Sequence, residues 1–428
     1  MTEESPVKTR RSRARKIGLV ALWFVIGVFV LRAGLDWWTG RRLAQEVTRL
    51  EARYGTIKQT NADHVPDKEN RARAIRAAVS LMNVEYKVMY SSPALWTPKP
   101  PTPVPSEVRA LVAQNEAALR IAEDARQRPK SNWSYERDQA TPPLLATRML
   151  ANLCYVKALV GIEDGHADDA TRALAASLGV AASLRNEPPL ICQLIRIAAA
   201  HQAYVGVQRL LSGAEPSAAA LADLAAALEE ERQPAPGREA LIGELRWGHD
   251  NWTALAEGDA RVFGPSPFDW LGEGRPSLWL GLAAWFGRPA VQVVHTRYLR
   301  ELDQIIEAQA VLPSSRVLPS KTEGQWWKKR IDTWLPGLER SLESVDQHAA
   351  AQAAAAVAIA LRRYRIAQGT YPDDLASLAP EYLKALPIDP YTGKPPAYAR
   401  AGTGFELKAG LPTIPNYDRR PFVWSISK

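Results

Sequence analysis

Only two of the 428 residues are cysteine, Cys154 and Cys192, and only six are histidine. Two thiols define neither a disulfide framework nor a zinc pattern. Both lie in apolar helical stretches, so two buried free thiols are expected, although an oxidising compartment would permit pairing. The histidines are scattered at positions 64, 166, 201, 249, 295 and 348. No two are three to five residues apart, which excludes a metal-binding pair on one helical face. Phosphate-cradling glycine loops, the nucleophile elbow and the His-Glu-x-x-His motif are missing too. No catalytic, cofactor-binding or metal-binding residue is therefore assigned, and no cofactor is expected.

Net charge is also in short supply outside one place. The chain carries a net +8, but residues 1 to 16 hold Lys8, Arg10, Arg11, Arg13, Arg15 and Lys16 against Glu3 and Glu4, a local +4. The rest is too dilute to serve as a footprint for phosphate backbones, so a nucleic-acid partner is not expected. With 46% hydrophobic and 23% charged residues the chain is composed to fold. Its length exceeds what one core accommodates, and roughly two to three packed units are expected.

What the sequence does have is one membrane signal. From Ile17 to Leu31 no residue is charged, and Arg32 is followed by Ala33-Gly34-Leu35 and then Asp36, Trp37 and Trp38. Fifteen residues at ~1.5 Å each fall short of a ~30 Å hydrocarbon core. A snorkelling Arg32 and an interfacial Trp pair extend the span to residues 17–38. No small-residue cleavage site follows, so the segment is expected to be an uncleaved signal anchor and the lipid bilayer a partner. The positive-inside rule leaves residues 1–16 as a basic cytoplasmic tail and places the bulk outside, in the periplasm of a bacterium with the anchor in its inner membrane.

Beyond the span, Leu43, Val47, Leu50 and Tyr54 are spaced four, three and four apart, so the helix should continue as an apolar stripe until Gly55. Packing on the chain's own next helix is expected for this stripe, with self-association through residues 17–54 as the alternative. Residues 39–92 form juxtamembrane helices, with Ile75, Val79, Met82, Tyr86 and Met89 on one face. Six prolines between Pro93 and Pro105 favour extended geometry, so 93–105 reads as a stiff spacer. Residues 106–345 read as a helical domain. Its first half, to about Glu231, offers helix–turn–helix units such as 158–164, the turn Gly165–Asp169 and 170–184. These resemble tetratricopeptide hairpins, without three copies at a fixed period. The second half holds eight of the fourteen tryptophans, Trp247, Trp252, Trp270, Trp279, Trp285, Trp326, Trp327 and Trp334. Core packing is expected for them. Leu278 to Phe286 is apolar enough to lie on a bilayer, yet nine residues span only ~13.5 Å and cannot cross one.

The alanine-rich stretch from Asp346 predicts a helix that stops at Gly369, with Pro372 forbidding continuation. A short helix at 373–378, a hairpin of 397–400 with 405–408 through Gly402 and Gly404, and a third strand near Phe422-Val423-Trp424 follow. The run Ala360-Leu361-Arg362-Arg363-Tyr364, with Gly369-Thr370-Tyr371-Pro372, Leu386-Pro387-Ile388-Asp389-Pro390-Tyr391 and Tyr398, resembles the periplasmic part of the major pseudopilin of type II secretion. More broadly, residues 140 to 410 resemble uncharacterised bacterial envelope proteins that end in the same segment. The resemblance implies that 346–428 is a small α+β unit. It departs from that family in two ways. Gly18-Leu19-Val20-Ala21-Leu22 lacks the prepilin glutamate, and Leu411 to Arg420 offers only Asn416 and Asp418 as calcium ligands. The chain is therefore not itself expected to be a pilin subunit.

The fold expected is mainly α: a transmembrane helix, a helical-hairpin body and the α+β end. The densest polar group is Glu244, Arg246, His249, Asp250 and Asn251 among Trp247 and Trp252. An ordinary solvated helix face is expected there, with Arg246 and Asp250 four apart. The function expected is non-enzymatic: an envelope interaction or scaffold protein with envelope protein partners, in association with secretion or pilus-like machinery. The rival is an envelope hydrolase or glycan-binding protein that gathers Trp247, His249, Asp250 and Trp252 around a pocket.

Overall fold

The computed structural model describes residues 7–58, 65–96, 103–133, 143–187, 190–232, 237–258, 278–309, 311–316, 338–409 and 423–426. It is mainly helical and divides into two compact units, Met1–Gln59 with Leu245–Asp303, and Thr60–Glu244 with Gln304–Lys428. Each unit draws on stretches that are distant in sequence.

In the first unit, span and neck are one helix, α1 (Val7–Tyr54), which ends at Gly55 with φ +73°. That left-handed conformation carries no Cβ penalty only for glycine. From Ile17 to Trp38 the large apolar side chains of α1 stand exposed, Phe24 at 72%. The helix is long and apolar enough to cross a membrane; by the same measures so are α6 (Leu144–Glu163) and α8 (Leu190–Gly213) of the second unit, whose side chains are largely buried. Two further helices contribute to the first unit: α10 (Arg238–Ala256) from Leu245 on, and α11 (Leu278–Ala308) up to Asp303.

Helix α11 runs parallel to α1. Arg32 bonds Trp285, Thr39 bonds Gln292, Arg300 bonds Glu46 and Arg49 bonds Asp303, and in these four contacts the partners are 253 or 254 residues apart. A constant separation means the chains advance together; an antiparallel pair would keep a constant sum. The neck therefore runs beside α11, held largely through polar groups, and of the expected stripe Tyr54 meets α11 at Asp303. Asp303 accepts from Arg49 (2.7 Å), Arg53 (3.0 Å) and the Tyr54 hydroxyl (2.6 Å). These donors outweigh the effect of burial and hold its carboxyl below the usual range.

The second unit has its core where α6, α7 (Ala167–Ala182), α8, α9 (Ala218–Arg232) and α12 (Leu338–Gln368) meet. Alanine lines these faces, and small side chains let helix axes approach closely. Cys154 and Cys192 are buried and free, as expected, and burial pushes the Cys154 thiol up to about 12. Helices α2 (Arg71–Leu81), α4 (Ser106–Gln114) and α5 (Glu116–Ala125) join the same core. The single face expected over 67–90 is broken: α2 ends at Leu81 and a short α3 (Tyr86–Met89) follows. The cause is a clasp in which the Asn83 N–H donates to Asn115 Oδ1 (2.7 Å) while Asn115 Nδ2 donates to the Asn83 carbonyl (2.9 Å). Tyr86 is consequently exposed.

The expected spacer is anchored at both described ends. Leu95 in the turn Pro93–Trp96 is fully buried, Val104 nearly so, and Tyr155 and Arg209 bind the carbonyls of Leu95 and Ala94. Residues 97–102 lie outside the described residues. So do Trp270, Trp326, Trp327, Trp334, Phe422 and residues 411–420, while only the backbone of Trp279 is described.

The C-terminal elements follow the expectation closely. Helix α12 ends before Gly369 at φ +79°, and a short 3₁₀ turn spans Leu375–Leu378, capped by Asp374. Strands β1 (Ala397–Ala401), β2 (Gly404–Lys408) and β3 (Val423–Ile426) form an antiparallel sheet in the order β1-β2-β3, Tyr398 opposite Leu407 and Phe405 opposite Ile426. Tyr371, Leu375, Leu378, Phe405 and Leu407 belong to the same hydrophobic core as the helices of the second unit.

Candidate functional site

The residues singled out from sequence fall on α10, and they are not a solvated face. His249 is 7% and Trp252 8% exposed, while Trp247 and Asp250 are half-buried. Arg246 donates to the carbonyls of Thr56 (3.0 Å) and Tyr54 (3.3 Å), capping the C-terminal end of α1 where carbonyls lack helical partners. The histidine pair excluded on a single helix arises between two: His249 Nδ1 lies 3.1 Å from His295 Nε2 of α11. The Trp252 ring stacks beside His295, and Tyr298 closes the group. Burial holds both imidazoles down, His295 to about 3, so the pair is neutral at neutral pH and shares one N–H. A neutral pair can pass a proton but offers no charge to a substrate, and the other ring nitrogen of His295 is buried without a hydrogen-bond partner.

Sequence reasoning missed a second constellation, in the second unit. Glu231 of α9 is fully buried, and three donors meet its carboxylate: Arg196 Nε (3.0 Å) and the Tyr204 hydroxyl (2.7 Å) from α8, and Gln352 Nε2 (2.7 Å) from α12. Arg196 also donates to the Glu231 main-chain carbonyl. His348 Nε2 of α12 stands 3.4 Å from Oε1. Burial alone would raise this carboxyl, but His348 and Arg196 outweigh it and hold it below the ordinary carboxylate range. The same carboxylate raises the Tyr204 hydroxyl, already raised by burial. A carboxylate so saturated is a poor base; what it does is tie α8, α9 and α12 at one point. Arg196 inside the apolar run Leu190–Leu211 was the available signal, whereas Glu231 looks like Glu229 and Glu230 beside it.

A third buried carboxyl, Glu187, accepts the Trp133 N–H (3.0 Å) and is pushed by burial to about 7. At the surface, a shallow concavity lies over the turn at Gly165–Asp169 with Glu215 and Ser217. Its acids are engaged: Asp168 accepts the Ser217 N–H (2.7 Å), Asp169 pairs with Arg172 and Glu215 with Arg362. Among the described residues no group of three or more His, Cys, Asp or Glu is placed to hold a metal.

No protein-family model matches the chain, and comparison with curated proteins and with solved structures finds no similar protein.

Proposed function

We propose that the chain is a bacterial inner-membrane protein, anchored by α1 with its N-terminus in the cytoplasm, that presents its helical body to the periplasm as an interaction or scaffold module. The observation that carries this reading is the apolar sheath of α1, whose large side chains between Ile17 and Trp38 are largely exposed among the described residues, with Trp285 packed on Phe29. Such a sheath needs lipid around it. Helices α6 and α8 bury most of their apolar surface within the second unit, which favours α1 as the span among the described helices. The basic tail sets its orientation.

Three features of the body support binding rather than chemistry. Its fully buried ion pair, Arg196 and Glu231, is consumed in holding helices together. The sequence pattern of its helix–turn–helix stretches resembles tetratricopeptide hairpins, a form used to build binding faces. Its C-terminal segment resembles the major pseudopilin of type II secretion, and this points to secretion or pilus-like machinery as the class of envelope partner. Ile366 and Ile388 stand exposed on that segment.

The test is photo-crosslinking in cells from Ile366 and Ile388, beside exposed control positions Leu81 and Leu145 in the helical body. A defined envelope protein captured from the first two sites is the outcome expected. Specific turnover of an envelope substrate by the purified protein would sink the scaffold reading.

A further inference from the structure

Helix α11 opens with nine uncharged residues, Leu278-Trp279-Leu280-Gly281-Leu282-Ala283-Ala284-Trp285-Phe286, and its first charge is Arg288. On α1 the uncharged run ends at Arg32 and Asp36. The two boundaries coincide in space: Arg288 lies 3.7 Å from Asp36, and Arg32 3.5 Å from the same carboxylate. Just below this level the Trp285 ring meets Phe29 at 5.2 Å and lies under the Arg32 guanidinium at 4.4 Å. Just above it, Arg41 and Arg42 lie over the exposed rings of Trp37 and Trp38, the amphipathic pairing of a membrane–water interface. Because α11 is parallel to α1, the turns before Trp285 extend towards the apolar run of α1, starting up to ~10 Å beyond that ring at ~1.5 Å per residue.

One bond makes this arrangement tenable in lipid. Pro289 lacks the N–H that would serve the Trp285 carbonyl, four residues earlier, and a carbonyl left open in hydrocarbon is costly. Arg32 supplies the donor, its Nε 2.7 Å from that oxygen. The same bond gives an acceptor to an arginine that α1 carries at the end of its apolar run and that is only 5% exposed.

We propose that the first turns of α11, through Trp285 and Phe286, are seated in the outer leaflet beside α1, giving the protein a second, monotopic contact with phospholipid. The segment is too short to cross, so it enters and leaves on the periplasmic side. Phe286, 48% exposed among the described residues, faces the acyl chains. This inference rests on α1 being the anchor, and the experiment separates the two.

The full-length chain is reconstituted in phosphatidylcholine–phosphatidylglycerol vesicles with a single introduced cysteine at Leu22, Phe286 or Val293, each carrying an environment-sensitive fluorophore. The native thiols are buried, and the unsubstituted chain labelled in parallel sets the background. The expected result is that Phe286→Cys behaves like Leu22→Cys, quenched by acyl-chain nitroxide and several-fold less by aqueous iodide, while Val293→Cys is open to iodide. If Phe286→Cys is as open to iodide as Val293→Cys while Leu22→Cys stays shielded, the anchor stands and the second contact is overturned. Shielding of Phe286→Cys from both quenchers means protein covers it and also overturns the proposal. Iodide access at Leu22→Cys removes the anchor and the inference with it.

Discussion

The guanidinium of Arg32 fills the acceptor that Pro289 leaves vacant at Trp285, so a helix break in α11 and a charge at the end of the apolar run of α1 answer each other across 253 residues of chain. Hydrogen bonds from charged groups contribute ~1.5–3 kcal/mol. Arg32→Leu should therefore lower the resistance of the first unit to thermal unfolding in detergent. In a Pro289→Ala background the loss should be smaller, because the substitution restores a main-chain N–H that can serve the same carbonyl. Equal losses in both backgrounds would show that the two residues are not coupled.

Glu231 and Arg196 should behave as a buried pair whose halves depend on each other. Removing one partner leaves an uncompensated charge, so Glu231→Gln or Arg196→Met alone should each cost ~3–5 kcal/mol in urea unfolding. Glu231→Leu combined with Arg196→Met should recover much of that loss. Additive costs in the double variant would refute the reading of this cluster as an electrostatic tie.

The second unit should weaken as pH rises through neutrality. The Glu187 carboxyl is raised from 4.5 to about 7, so between those values the folded state binds more protons than the unfolded state. Stability is then full below about 4.5 and is lost as pH climbs to about 7, by up to ~3 kcal/mol. Glu187→Gln keeps an acceptor for the Trp133 N–H and should flatten this slope. An unchanged pH profile in that variant would rule Glu187 out as its source.

The first unit should show the opposite sign. His295 is depressed from 6.5 to about 3, so the unfolded state binds more protons in that window. Its contribution is intact above about 6.5 and lost as pH falls towards about 3. Imidazole proton resonances followed by NMR should leave His295 untitrated from neutral pH down to about 5. A His295 midpoint near the ordinary histidine value would refute the buried neutral pair with His249.

Much of the fold was legible because the signals are local. Gly369 and Pro372 announce the end of α12, Gly55 that of α1, and Gly402 and Gly404 the β1–β2 hairpin, each through backbone geometry that a few residues control. The break between α2 and α3 was not, since the apolar spacing of Ile75, Val79 and Met82 continues smoothly across it. It comes from Asn115, 32 residues away, whose side chain takes both main-chain groups of Asn83. The candidate site was half legible. His249 and Trp252 stood out by type, but a tryptophan-rich stretch does not say which helix will lie beside it.

A continuous uncharged run of the length of 17–31 commits itself to a helix with an apolar surface whatever the rest of the chain does, because backbone bonds and side-chain transfer are settled within the segment. Burial of one glutamate among three neighbours, pairing of His249 with His295 and the parallel course of α11 along α1 are of another kind. Each depends on where a second, distant helix comes to rest, and on how much charge its side chains bring to the meeting. Packing and electrostatics between elements are set by three-dimensional proximity, and only the folded chain decides that.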